Sequence, residues 1–116
     1  MTGEPRDALR ALRRAQPLAI DQGERANVVW TEQLLGDVTS ILEPARARAH
    51  YERAITLARE LALGPRLAAS LSGLARLLRT NGRDSEADVL DEEAAALAAG
   101  QRERTSSPAL LRRSQV

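Results

Sequence analysis

At 116 residues the chain has room for one domain and a modest core. Seventeen arginines, no lysine and 16 acidic residues leave a formal net charge of +1, so no bulk positive surplus marks nucleic acid as the obvious partner. The absence of cysteine excludes a disulfide framework, a thiolate zinc site and a cysteine nucleophile, and no uncharged apolar run approaches the ~18 residues that cross a bilayer.

Ala, Leu, Arg and Glu dominate, phenylalanine is absent, and Trp30 and Tyr51 are the only aromatic residues. Such a mixture suits closely packed helices and would fill a β-sandwich poorly, so an all-α fold is expected. The stretch from Met1 to Asp7 lacks the apolar core of a secretory signal, and a cytoplasmic protein without a membrane partner is the expectation.

A first helix is predicted from about Asp7, with Ala8, Leu12, Ala15 and Ala19 as its apolar stripe. Pro17 lacks a backbone donor and predicts a kink or an early end, and Gly23 closes the segment. A second helix runs from about Glu24 to Leu42 with Val28, Leu34, Leu35, Val38, Ile41 and Leu42. Its interior Gly36 costs ~1 kcal/mol relative to alanine.

Pro44 opens a third helix that reaches about Leu63 on a stripe of Ala47, Tyr51, Ala54, Ala58 and Leu61. Gly64 is expected to end it and Pro65 to open a fourth, which carries Leu67, Leu71, Leu74, Ala75 and Leu78 and stops at Asn81-Gly82. The fifth begins at Asp84 or Ser85, where Ser85 to Asp88 has the form of a capping box, and ends at Gly100. Beyond it the composition turns polar, with at most one short turn from Ser107-Pro108 through Ala109 to Leu111. The chain therefore divides into a flank at 1–6, a helical domain at 7–100 and a tail at 101–116 expected to be flexible.

One spacing recurs through these helices. Ala8, Leu12 and Ala15 return as Ala47, Tyr51 and Ala54 and again as Ala87, Asp91 and Ala94, the first residues 39 and then 40 positions apart. Leu34, Leu35 and Val38 likewise match Leu74, Ala75 and Leu78 at an offset of 40. A fixed period of this length marks stacked helical hairpins, in which small residues let two backbones approach and a large residue one turn later fills the gap beside the next pair.

The stretch Leu71-x2-Leu74-Ala75-x2-Leu78, followed by Gly82-Arg83 and Ala87-x3-Asp91-x2-Ala94, resembles the tetratricopeptide repeat, whose helix pair follows W-x2-L-G-x2-Y and then A-x3-F. It is similar in particular to the longer bacterial repeats of kinesin-light-chain type. The resemblance implies a short right-handed solenoid of about two and a half antiparallel hairpins. It also implies a non-catalytic scaffold that binds a protein or peptide, such as forms part of larger bacterial regulators.

In that family the first helices of the hairpins line an inner groove. The resemblance would place Ala69, Ser72, Arg76, Arg79 and Thr80 there, beside Val29, Glu32, Gln33, Gly36 and Thr39. Of these, Glu32, Gln33, Ser72, Arg76, Arg79 and Thr80 are the candidate partner-binding residues. Arginine takes a carboxylate bidentately, so an acidic or C-terminal peptide is the expected partner.

Three departures stand out: Thr31 holds the place of the family tryptophan with Trp30 one residue earlier, Asp91 replaces a large aromatic, and the period exceeds the usual 34. The first helix would also be the second member of a hairpin whose first member is missing. The expectation is a fragment of a longer array, or a homodimer through the uncovered face of that helix.

No chemistry is expected. His50 is the only histidine and makes no metal site alone, and the acids at Asp84, Glu86, Asp88, Asp91, Glu92 and Glu93 suit the N-terminal half of a helix. No phosphate loop or nucleophile elbow is present, so neither a cofactor nor a metal is expected. The rival reading is a small DNA-associated helical regulator using its arginines, with Arg102, Arg104, Arg112 and Arg113 as a basic tail. A plain antiparallel bundle is a third, against which the short helices cut by Pro44, Gly64-Pro65 and Asn81-Gly82 speak.

Overall fold

The computed structural model of the chain describes residues 4–106 and is helical from end to end, with no strand among them. Five helices follow in order: α1 Glu4–Asp21, α2 Arg25–Leu42, α3 Pro44–Glu60, α4 Gly64–Thr80 and α5 Asp84–Ser106. The expected turn at 108–111 and the arginines at 112 and 113 lie outside the described residues.

α1 begins at Glu4, inside the flank expected at 1–6, and three further boundaries differ from the sequence reading. Pro17 neither ends nor shortens α1, which continues to Asp21. Proline lies on the exposed side of the helix while Ala19 beyond it is buried, so packing of the last turn outweighs the missing bond. Gly100 does not end α5 either, and residues 101–106 of the expected tail are helical.

The third difference is at the turn between α3 and α4, where Gly64 is the first residue of α4 and Ala62 takes the left-handed conformation at φ 55°. Ala62 N–H bonds to Arg59 C=O and Leu63 N–H to Ala58 C=O, the same pair of bonds that Gly23 and Gly82 organise after α1 and α4. The position one repeat after Gly23 is thus held by an alanine against its conformational preference.

Each helix packs on its chain neighbours, and α2 also packs on α4. Leu9 with Leu42, Asp37 with Tyr51, and Ala68 with Leu97 meet across successive pairs, which makes neighbours antiparallel. Among the described residues α1 makes no backbone approach within 8 Å to α3, α4 or α5, so the helices do not close into a bundle.

The second copy of the recurring triplet, and Ala87 and Ala94 of the third, are buried among the leucines of α4. Ala47, Ala54 and Ala87 are fully buried, as are Ala58 and Ala75, while Ala8, Leu12 and Ala15 of the first copy are half-buried. Asp91 stays half-exposed and pairs with Arg79 of α4 at 2.5 Å, so the last hairpin presents a polar side where the previous one presents Tyr51.

Candidate functional site

Tyr51 is the key to the face shared by α2 and α4. Its ring leaves α3 and passes between Gly36 of α2 and Gly73 of α4, where only hydrogen fits. A Cβ on Gly36 would lie 2.7 Å from the ring, and one on Gly73 would lie 2.5 Å from it. The two glycines explain how a tyrosine that is 2 % exposed is held between two helices. Its hydroxyl donates to Asp37 Oδ1 at 2.5 Å. Burial pushes the phenol pKa far above its usual range, the bond to Asp37 and its charge push the same way, and Arg76 opposes them.

Above the phenol the two helices frame a groove of about 570 Å³, lined by Asp37, Ser40 and Ile41 from α2 and by Arg76, Leu77 and Thr80 from α4. Toward the other end of the same face the guanidinium of Arg66 on α4 lies 3.5 Å above the ring centroid of Trp30 on α2, a cation–π contact that leaves Trp30 40 % exposed. The two helices therefore run parallel, matching residue for residue at offsets of 36 to 39.

Seven of the chain's 17 arginines are occupied elsewhere. Arg13, Arg25, Arg48, Arg53, Arg59, Arg79 and Arg83 each pair with a carboxylate on another helix or turn of the fold. Arg66 and Arg76, like Arg6 and Arg14 of α1, pair with no carboxylate among the described residues, and Arg66 and Arg76 lie on this face.

The six candidate residues separate accordingly. Arg76 and Thr80 share the groove, the Thr80 hydroxyl donating to the Arg76 carbonyl at 3.0 Å. Gln33 lies one turn before Gly36, with its Oε1 buried and without a partner, and Ser72 is half-buried on α4. Arg79 turns instead to Asp88 and Asp91 of α5. Glu32 is 2 % exposed and faces α1 and α3, where it accepts from Gln16, contacts His50 Nδ1 at 2.8 Å and accepts from Arg53 Nε at 3.1 Å.

His50 is thus part of a partly buried polar cluster, and of the α5 acids Glu86, Asp88, Asp91 and Glu93 are bound to Arg48, Arg59, Arg79 and Arg83. No group of acids or histidines able to hold a metal occurs among the described residues. Sequence reasoning missed Asp37, Trp30 and Arg66 as members of the face. The signal was there in Gly36, an apparent cost in mid-helix whose purpose appears only opposite Tyr51. No family model matches the chain, and no curated protein and no solved structure is significantly similar to it.

Proposed function

We propose that the chain is a non-catalytic protein-interaction module, a short right-handed stack of tetratricopeptide-like hairpins whose α2–α4 face holds an acidic segment of a partner. The observation that carries this reading is the pair Arg66 and Arg76, which share the α2–α4 face without a carboxylate partner. A partner carboxylate supplies what they lack, and a bidentate contact adds geometric selectivity. The order of helix contacts, with α2 on α4 and the fully buried Ala47 and Ala87, supports the stacked-hairpin reading.

Trp30 is the only tryptophan and is stacked under Arg66, so its fluorescence reports on the face directly. Titration with acidic peptides of about ten residues is expected to change Trp30 emission. Replacing both arginines, Arg66→Gln and Arg76→Gln, is expected to weaken binding at least about tenfold. Peptides that bind the double variant as well as the native chain remove this function from the α2–α4 face.

A further inference from the structure

The two arginines of the α2–α4 face stand at different stations along one helix. Arg66 and Arg76 both belong to α4, and the ten residues between their positions, at 1.5 Å each, set them ~15 Å apart along its axis. Each guanidinium lies on the side of α4 that faces α2: one over the ring of Trp30, the other in the groove opposite Asp37 and Ser40.

The two stations are held differently. Arg66 lies 3.5 Å above the ring centroid of Trp30, which comes from the neighbouring helix, so stacking fixes its height and direction. Its N–H donors stay in the guanidinium plane, where a carboxylate can take two of them. Arg76 is exposed and has no such support. Asp37, across the groove, accepts from Tyr51 and forms no ion pair with Arg76, and its charge keeps an incoming carboxylate on the α4 wall. Between the stations α4 carries Ala69 and Gly73 toward this face, so no bulky side chain stands in the line that joins them.

We infer, resting on the function proposed above, that the acidic segment held here is an extended strand with two carboxylate side chains four residues apart. One carboxylate meets Arg66 and the other Arg76, and Trp30 is the positioning residue that fixes the first station. An extended chain advances ~3.3 Å per residue and turns alternate side chains to opposite faces, so residues i and i+4 lie ~13 Å apart on one face. The unsupported side chain of Arg76 swings through the remaining ~2 Å. Acids at i and i+2 of a strand span only ~7 Å, and those at i and i+3 point to opposite faces. Acids at i and i+4 of a helix span ~6 Å. None of these arrangements reaches both arginines.

The test uses ten-residue peptides with blocked ends, alike in composition, each with two glutamates among neutral residues rich in threonine to favour extended backbone. The glutamates stand two, three or four positions apart, so all the peptides carry the same charge. By isothermal titration calorimetry the four-apart peptide is expected to bind at least about tenfold more tightly than the other two. With Arg66→Gln one station is lost, and the three peptides are expected to bind alike. Trp30→Leu releases Arg66 and is expected to keep binding while reducing the preference to about threefold or less. Both variants are expected to keep the circular dichroism of the native chain.

Peptides that bind the native chain alike, and weaken together on Arg66→Gln with Arg76→Gln, overturn the spacing and leave the acidic-partner reading standing. Peptides that do not bind at all, or that bind that double variant as well as the native chain, remove the reading and the spacing with it. A four-apart preference that survives Arg66→Gln places the second station elsewhere, and one undiminished by Trp30→Leu removes the positioning role of the ring. Either result overturns the proposal.

Discussion

Replacing Gly73 by alanine adds one methyl group in the middle of α4 and sets two effects against each other. Helix propensity and backbone entropy favour the alanine by ~1 kcal/mol. Its Cβ, however, would sit 2.5 Å from Tyr51 Cε1 and 2.8 Å from Cζ, and the ring has nowhere to retreat because Gly36 touches its other side. Overpacking of this kind costs ~1–3 kcal/mol. A ring forced out of its seat also loses its bond to the Asp37 carboxylate, worth ~1.5–3 kcal/mol. The expected net loss is about 2–4 kcal/mol, a large part of the ~5–15 kcal/mol that holds a domain of this size together. The midpoint of thermal unfolding, followed by circular dichroism at 222 nm, should then fall by at least about 8 °C.

Gly100 supplies the matched control, because a Cβ there meets nothing within 4 Å. Gly100→Ala is expected to gain up to ~1 kcal/mol from propensity alone. Gly36→Ala should behave like Gly73→Ala, since its Cβ would meet the same ring at 2.7 Å. A Gly73→Ala protein as stable as the native chain would refute the wedge and the construction of the α2–α4 face built on it.

The remaining predictions follow from the same geometry. The Tyr51 phenol is held protonated by burial and by Asp37, so absorbance titration at 295 nm should show no tyrosinate in the folded chain near the usual value of about 10. Because the folded pKa lies above the unfolded one, the stabilisation is complete below about pH 10 and is lost as the pH rises from there toward the folded pKa. Urea midpoints that stay level well above that pH would contradict this. Ala62→Gly should raise stability by about 0.5–1 kcal/mol, since glycine removes the left-handed penalty at φ 55° and gives back part of the gain as unfolded-state entropy. A lower urea midpoint would show that Ala62 is not strained. Arg79→Ala should leave acidic-peptide affinity unchanged, because its guanidinium is committed to Asp88 and Asp91, and an Arg79 effect equal to that of Arg76 would place the binding site on the α4–α5 edge. Duplex DNA should show no measurable affinity at low salt, and a steep salt-dependent affinity there would favour the DNA-associated reading.

Much of the fold was legible along the chain because its signals are local. The stripes, Pro44 and the Asn81-Gly82 stop are written in contiguous residues, and α2 to α4 begin and end within a few residues of where those signals place them. Pro17 and Gly100 misled for the opposite reason, because local cost is only half the balance. Ala19 is buried beyond Pro17, and α5 continues past Gly100 to Ser106.

The candidate site was less legible. Arg76 and Arg79 are indistinguishable in sequence, three residues apart on one helix with similar neighbours. Three residues leave two side chains about 60° apart around the helix axis, enough to give one guanidinium to the groove and the other to α5. Glu32 was expected in the same groove and lies against His50 and Arg53 instead.

By itself the sequence determined that the chain is helical, where most helices turn, and which alanines are small enough to let backbones meet, because propensity, capping and periodicity act between residues close in the chain. Which residues share a surface was decided only by the tertiary structure. Tyr51 explains Gly36 and Gly73, Arg66 finds Trp30, and Arg59 finds Glu93, because each depends on contacts between residues 15 to 36 positions apart whose register is set when the helices pack.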